Sequence, residues 1–191
     1  FKESAESERR KHEGIYHTEY IRSGGKTVQL ILLDVRSFRN DLLLYDTLTK
    51  LPRDYYFYKP DYKPHTSPDS TLLGAGQWKW LEAELSKPAD LRLICSGSQF
   101  SIEYNGYEAW ANFPHEQKRM LELIKKTKAD GVMFLTGDVH YGEISKIEEP
   151  GIYPVYDITS SGITSTWDFP TQNKNRVEGP VMDNHFGLLT V

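Results

Sequence analysis

The stretch from Gly131 to Glu143, GVMFLTGDVHYGE, constrains the fold of this chain more than any other. Its apolar run, Val132 to Leu135, is too short for a typical helix and lacks the polar alternation of a half-exposed strand. Such a run is typical of a central strand that is buried on both faces. Polar residues follow it directly, and in open α/β proteins ligands bind just beyond the carboxyl ends of the strands. The stretch therefore predicts an α/β fold with a site at the end of this strand.

Asp138 and His140 are the candidate site residues that follow this strand. They are two positions apart, so in an extended segment both side chains point to the same side. A carboxylate oxygen and an imidazole nitrogen that converge there make half of a mixed O/N metal site. The structural alternative is that Asp138 caps a helix and His140 only forms a hydrogen bond. The residue types alone leave both interpretations open.

Length and composition limit the class of protein. A chain of 191 residues makes one domain or part of a larger one. The net charge of −4, with no Lys/Arg cluster dominating one face, argues against a nucleic-acid-binding surface. No apolar run approaches the ~20 residues that a bilayer requires, so no transmembrane segment is predicted. The single Cys95 excludes an internal disulfide.

The hydrophobic pattern along the chain alternates strands with helices and then ends in strands. Residues 1–13 are charged and predict a linker or frayed helix ahead of a folded part at 14–191. A chain that opens on such a segment without a Met is typical of a mature or cut product. The order predicts layered sheets covered by helices. Strands are predicted at 15–21, 27–33, 91–95, 132–135, 142–148, 153–159 and 185–191, and helices at 77–85 and 115–128.

Two arginines, Arg36 and Arg39, follow the second predicted strand. Arginine forks match phosphate and carboxylate geometry with two parallel hydrogen bonds, so this pair could hold an anionic substrate. The structural alternative is that Asp34 or Asp41 pairs with either arginine and orders the loop. The short separation along the chain slightly favours the structural alternative.

Residues 40–73 predict a long ordered loop. Its prolines, at positions 52, 60, 64 and 68, block both a regular helix and a central strand. Loops of this length are commonly lids or rims of functional sites. The tyrosine-rich part, 45–62, could therefore gate a cleft, although packing onto the body is the default for such aromatic residues.

Several stretches, in this order, resemble the PhoD-type alkaline phosphatase and phosphodiesterase family, a branch of the calcineurin-like metallophosphoesterases. The resemblance covers roughly residues 14–167, and LLDVRSFRND and FLTGDVHYGE are its most specific pieces. It implies an α/β fold, a layered α/β/β/α sandwich, of which this chain is the C-terminal half. The stretches are GIYHTEY, TVQLILLDVRSFRND, LLGAGQWKWLEAEL, LRLICSGSQF, the helix entry W-x-N-F-P-H-E-Q-K-R, MFLTGDVHYGEIS and SGITST.

The resemblance also implies two metal ions, iron with calcium or other divalent metals. The wider superfamily has a GHxH motif at this place, whose two histidines bind the two metals. His140 matches the second histidine and is therefore the surer ligand, whereas Asp138 stands where the first histidine would be. The superfamily places another ligand histidine after the preceding strand, where this chain has Ser98 and Gln99. The family's upstream ligand segments do not occur in these residues. The resemblance therefore implies that the N-terminal half of the domain docks as a separate chain or segment.

The implied activity is hydrolysis of a phosphate monoester or diester by a water that two metals activate. One alternative is a phospholipase D-like diesterase of the same family, whose lipid cleft Trp110, Tyr55 and Phe57 would rim. The other is a non-catalytic partner subunit that lends a β-layer to another protein. The resemblance favours an extracytoplasmic or secreted location.

Overall fold

The structure is a computed structural model that describes residues 4–44 and 62–191. A single 3-10 turn with exposed side chains, Glu8–Arg10, precedes the strands. The strands are β1 His17–Ser23, β2 Lys26–Leu32, β3 Leu43–Leu44, β4 Tyr62–Lys63, β5 Leu91–Ser96, β6 Val132–Thr136, β7 Gly142–Ile147, β8 Val155–Ser160 and β9 Arg176–Val181, and the helices are α1 Gly74–Leu85 and α2 Pro114–Thr127.

Seven strands form one mixed sheet in the order β1-β2-β5-β6-β8-β7-β9. Strands β2, β5, β6 and β8 are parallel, so their carboxyl ends meet at one edge of the sheet. The predicted central strand is β6, which lies between β5 and β8. Gly131 precedes it with φ 62°, and a Cβ there would lie 2.7 Å from the carbonyl oxygen of Asp90. Only glycine fits that approach.

Both helices pack on one face of the sheet. Ile31, Ile94 and Phe134 are in register on β2, β5 and β6, and all three are fully buried. They belong to one core with Leu81 of α1 and Met120 of α2. Burying each such side chain stabilises the fold by about 1.5–3 kcal/mol. In the part of the chain that the structure describes, no helix is long and apolar enough to cross a membrane.

The opposite face of the sheet is apolar and half-exposed. Leu30, Leu93, Met133 and Tyr156 are in register across the four parallel strands on this face. Leu32 and Tyr156 are each 39% exposed. The described residues therefore supply one helical layer and one large sheet, which confirms the predicted α/β class as half of a layered sandwich.

Two elements differ from the sequence prediction. Residues 185–191, predicted as a last strand, form none, and Phe186 and Leu188 are 76% and 86% exposed. The edge of β7 that such a strand could use is already paired with β9, a strand that is absent from the predicted ones. On α1, Glu84 is buried, and Tyr20 and Gln29 donate hydrogen bonds to its carboxylate.

Candidate active site

The segment that follows β6 turns sharply instead of running on as an extended chain. Asp138 and His140 have positive φ angles of 82° and 58°. The prediction that an extended backbone points both side chains the same way is therefore wrong. Positive φ at residues other than glycine is uncommon and clusters at functional sites. The turn nevertheless brings both side chains to one cavity.

That cavity, called here the strand-end cavity, has a volume of about 350 Å³. Its position directly after β6 agrees with the site predicted from the sequence. Acidic, imidazole and aromatic side chains share its wall, so it offers both ligands for a cation and a surface for an apolar group. The lining includes Tyr62, Tyr107, Glu108, Asp138, His140 and Trp167.

His140 is fixed by its own backbone. Its amide donates a hydrogen bond to the Ser161 hydroxyl at 3.0 Å, and its carbonyl accepts one from the Trp167 amide at 3.2 Å. The His140 and Trp167 rings meet edge to face, with centroids 6.1 Å apart. Because these contacts hold the backbone on both sides of the imidazole, the ring has a defined place at the cavity wall.

A buried polar network anchors the strand that begins after this turn. The Glu143 carboxylate is buried and accepts hydrogen bonds from the Gln99 and Asn173 amides, each at 2.8 Å. The Arg176 guanidinium forms an ion pair with the same carboxylate. The network ties β9 and the loop before it to the end of the sheet, because Arg176 also donates to the Thr171 carbonyl at 2.8 Å.

Arg36 and Arg39 both pair with Glu108, a residue that the sequence does not single out. Nη1 of Arg39 lies 2.7 Å from Oε1 of Glu108, and Arg36 donates to the same oxygen. Nη2 of Arg36 also lies 3.8 Å from Oδ1 of Asp138. The arginines therefore contact two residues that line the strand-end cavity, Glu108 and Asp138.

The alternative in which Asp34 or Asp41 pairs with either arginine is wrong, since the guanidinium groups pair with Glu108 and, for Arg36, also with Asp138. Asp34 is buried, and its carboxylate accepts hydrogen bonds from the backbone amides of Ile15, Arg36 and Ser37 at 2.9–3.0 Å. Burial opposes the charge, but these hydrogen bonds outweigh it and hold the pKa of Asp34 below its ordinary value. Asp34 thus orders the backbone of the loop, and its side chain is not a partner for either guanidinium.

The electrostatics of Asp138 favour a nearby cation. Burial raises the pKa of Asp138 above its ordinary value, and the Glu108 carboxylate raises it further. Arg36 and His140 act in the opposite direction without cancelling the effect. A cation bound beside Asp138 would stabilise its ionised form, because an opposite charge at short range favours the charged state.

Two of the side chains at the cavity wall are of types that could hold a metal, the carboxylate of Asp138 and the imidazole of His140. Across residues 4–44 and 62–191, no group of three or more His, Cys, Asp or Glu side chains gathers around a common point. Ser98 and Gln99, which stand where the superfamily has a ligand histidine, are buried and do not line the cavity. Both residue types fit a mixed O/N site, but further ligands must come from elsewhere.

The predicted aromatic rim is not formed by Trp110. Its ring is fully buried, and its Nε1 donates a hydrogen bond to the Ser96 hydroxyl at 3.0 Å. Tyr55 and Phe57, like the rest of 45–61, lie outside the described residues. Trp167 is the tryptophan that does line the cavity, beside tyrosines such as Tyr62 and Tyr107, and the sequence signals it only by its place after a run of small residues.

Comparison with known proteins places the chain beside phosphatases. The model of the PhoD-like phosphatase family matches residues 6–184. Alkaline phosphatase D of Bacillus subtilis (strain 168) is 26% identical over 125 residues, a match that covers 61% of this chain and 20% of that protein. The chain thus spans about a fifth of the length of this curated relative.

Two solved structures are similar to this chain at lower sequence identity. GAP50, the anchor in the inner membrane complex of Plasmodium, is 14% identical with a TM-score of 0.49, covering 90% of this chain and 44% of that one. A putative 5'-nucleotidase from Staphylococcus aureus in complex with alpha-ketoglutarate is 16% identical with a TM-score of 0.37, covering 91% and 31%. With TM-scores below 0.5, neither likeness carries an argument.

Proposed function

Because the chain belongs to the PhoD-like phosphatase family, we propose that it forms part of an enzyme that hydrolyses phosphate monoesters or diesters with a metal-activated water. The observation that carries the proposal is the strand-end cavity. Asp138 and His140 line it, and the Arg36 guanidinium lies 3.8 Å from the Asp138 carboxylate. Oxygen and nitrogen ligands beside a guanidinium fork suit a metal and a phosphoryl group held together.

In this proposal Asp138 and His140 hold metal, and Arg36 and Arg39 hold the substrate. When bound, two metal ions, iron with calcium or other divalent metals, supply an activated water and neutralise charge on the phosphoryl oxygens. Each guanidinium donates to those oxygens. Glu108 keeps both forks in place, since one of its carboxylate oxygens accepts from Arg36 and from Arg39.

We propose the N-terminal half of the same domain as the partner of this chain. The half-exposed apolar face of the sheet, which includes Leu30, Leu32, Met133 and Tyr156, is the surface that it would cover. Covering apolar area stabilises a complex by roughly 25 cal/mol per Å². The same partner would add the ligands that Asp138 and His140 need to complete a two-metal site.

The test is made on the protein that contains this chain together with its N-terminal segment. We expect native mass spectrometry to find both parts together with about two metal ions. Hydrolysis of p-nitrophenyl phosphate or bis(p-nitrophenyl) phosphate should stop when a chelator removes the metal and return when metal is added. A complex that carries metal but hydrolyses neither ester would contradict the proposed activity.

For the phospholipase D-like alternative, Trp110 does not form the expected rim, since it is buried in the core, and Tyr55 and Phe57 lie outside the described residues. The non-catalytic alternative makes a different prediction for the same experiment. It expects the two parts to associate without metal, with the Asp138 and His140 side chains bonded to protein groups only.

A further inference from the structure

Trp167 is a large aromatic residue in the strand-end cavity to which the proposed chemistry gives no role. Its side chain is 40% exposed, whereas Trp78 and Trp110 are at most 2% exposed in the core. A large apolar surface that is left in water is costly, and binding pockets use aromatic side chains as flat apolar contacts. An exposed indole in a concave site is therefore a candidate contact for a ligand.

The indole of Trp167 is held in place rather than carried on a loose loop. Its backbone amide donates to the His140 carbonyl at 3.2 Å, and its ring meets the His140 ring edge to face. On another side the Phe169 ring packs against it, with centroids 5.6 Å apart. A ring that is positioned before binding loses little conformational freedom when a ligand stacks on it.

Two tyrosines add to the apolar lining. Tyr62 and Tyr107 both line the cavity. The Tyr62 amide donates to the Gly106 carbonyl at 2.9 Å, which brings β4 beside the loop that carries Tyr107. The cavity therefore combines a polar part, with Asp138 and Glu108, and an aromatic part.

We propose that the aromatic part of the cavity binds the alcohol portion of the phosphate ester, and that this alcohol carries an aromatic or heteroaromatic ring that stacks on Trp167. The inference rests on the proposed phosphoesterase function. A volume of about 350 Å³ suits one ring-bearing group better than the paired acyl chains of a lipid. Because Asp138 and Glu108 make the rest of the wall polar, an apolar group in the cavity would contact mainly the aromatic rings of Trp167, Tyr62 and Tyr107.

The kinetic test compares benzyl phosphate with cyclohexylmethyl phosphate, esters of two primary alcohols that carry six-membered carbon rings of similar size but differ in flatness and aromaticity. The enzyme is the metal-loaded protein that includes the N-terminal segment. We expect kcat/KM to favour the benzyl ester by about 5-fold in the unmodified protein. Trp167→Leu should lower this ratio by about 5-fold. Comparing the ratio between variants cancels any difference between the two alcohols as leaving groups.

Trp80→Leu is the matched control. Trp80 packs on Tyr16, with ring centroids 4.7 Å apart, and does not line the cavity. We expect this variant to keep the preference for the benzyl ester. A ratio that is the same in the unmodified protein and in Trp167→Leu would overturn the inference and leave the proposed hydrolysis standing.

A binding measurement separates the two ideas when no ester is hydrolysed. Benzylphosphonate, which cannot be hydrolysed, is titrated into the Trp80→Leu protein, where Trp167 is the exposed indole of the described residues. We expect the tryptophan fluorescence of this variant to change, and we expect no change in the double variant that also carries Trp167→Leu. This fluorescence result, together with no hydrolysis of the phosphate esters, would support the aromatic subsite and contradict the proposed reaction. A titration without any change would overturn the inference.

Discussion

The Arg36 guanidinium lies 3.8 Å from the Asp138 carboxylate, although the two residues follow different strands. Arg36 follows β2 and Asp138 follows β6, and β5 lies between those strands in the sheet. The parallel direction of the three strands brings both strand ends to one edge. A guanidinium and a carboxylate are thereby placed side by side, and in the proposed function the first would hold the phosphoryl group and the second a metal.

Replacing His140 tests the metal site directly. We expect His140→Ala to lower kcat/KM for phosphate esters by at least about 100-fold and to lower the metal content, because it removes the nitrogen ligand. The matched control is His17→Ala, since His17 lies on β1, outside the cavity lining, and its ring Nε2 contacts the Glu19 carboxylate at 2.6 Å. Metal analysis and ester hydrolysis are measured on both variants. Equal activity in the two would refute the assignment of His140.

Replacing Arg36 tests substrate binding. Hydrogen bonds to a charged group contribute about 1.5–3 kcal/mol, so we expect Arg36→Ala to lower kcat/KM by about 10- to 100-fold, mainly through a higher KM. Arg22→Ala is the control, because Arg22 lies over the Tyr20 ring on β1, away from the cavity. Bound metal should be unchanged in both variants. An unchanged KM in Arg36→Ala would remove Arg36 from the substrate site.

The parts of the fold that the sequence predicts are those that local patterns determine. The apolar run of β6 and the spacing of Trp78, Leu81 and Leu85 on α1 each depend on neighbours along the chain. The structure agrees with both, since all three side chains of α1 are at most 2% exposed. The position of Asp138 and His140 at the end of a strand is predicted from the sequence for the same reason, because both residues follow the apolar run of β6 directly.

The parts that the sequence does not predict are those that distant contacts determine. Glu108 lies 72 residues from Arg36, and no local pattern links them. Trp110 has polar neighbours along the chain, yet its ring enters the core against Phe100, with centroids 5.2 Å apart. Strand β9 is a polar edge strand, so its hydrogen bonds to β7, and not its side-chain pattern, define it.

Asp157 predicts a pH dependence of stability. It is fully buried, and this burial raises its pKa from 3.8 to about 6 in the folded protein. Between these values the folded state keeps a proton that the unfolded state has released, so the free energy of unfolding falls as pH rises from about 4 to about 6. At about 1.4 kcal/mol per pH unit, the loss totals on the order of 3 kcal/mol.

Asp157→Asn should remove this slope. The Asp157 carboxylate accepts from the amides of Phe100 at 2.7 Å and Ser101 at 2.9 Å and from the Thr136 hydroxyl at 2.5 Å. An asparagine keeps these contacts when its oxygen accepts from the two amides and its NH2 donates to the Thr136 hydroxyl. Urea unfolding at several pH values between 4 and 7 measures the slope in both proteins. The same slope in both would show that another group titrates in this range.

The ion pair between Arg176 and Glu143 predicts a large effect on stability. The Glu143 side chain is 0% exposed and that of Arg176 is 19% exposed, so removing the guanidinium leaves a buried carboxylate without its cation. Breaking such a pair costs about 3–5 kcal/mol. We expect Arg176→Met to lower the free energy of unfolding by about 3 kcal/mol, near the lower end of that range, because Gln99 and Asn173 still donate hydrogen bonds to Glu143.

The control is Lys174→Met, two residues away. The ion pair of Lys174 with Glu103 is largely exposed and should contribute less than about 1 kcal/mol. Urea unfolding at pH 7 compares the two, and equal losses would mean that Glu143 does not depend on Arg176.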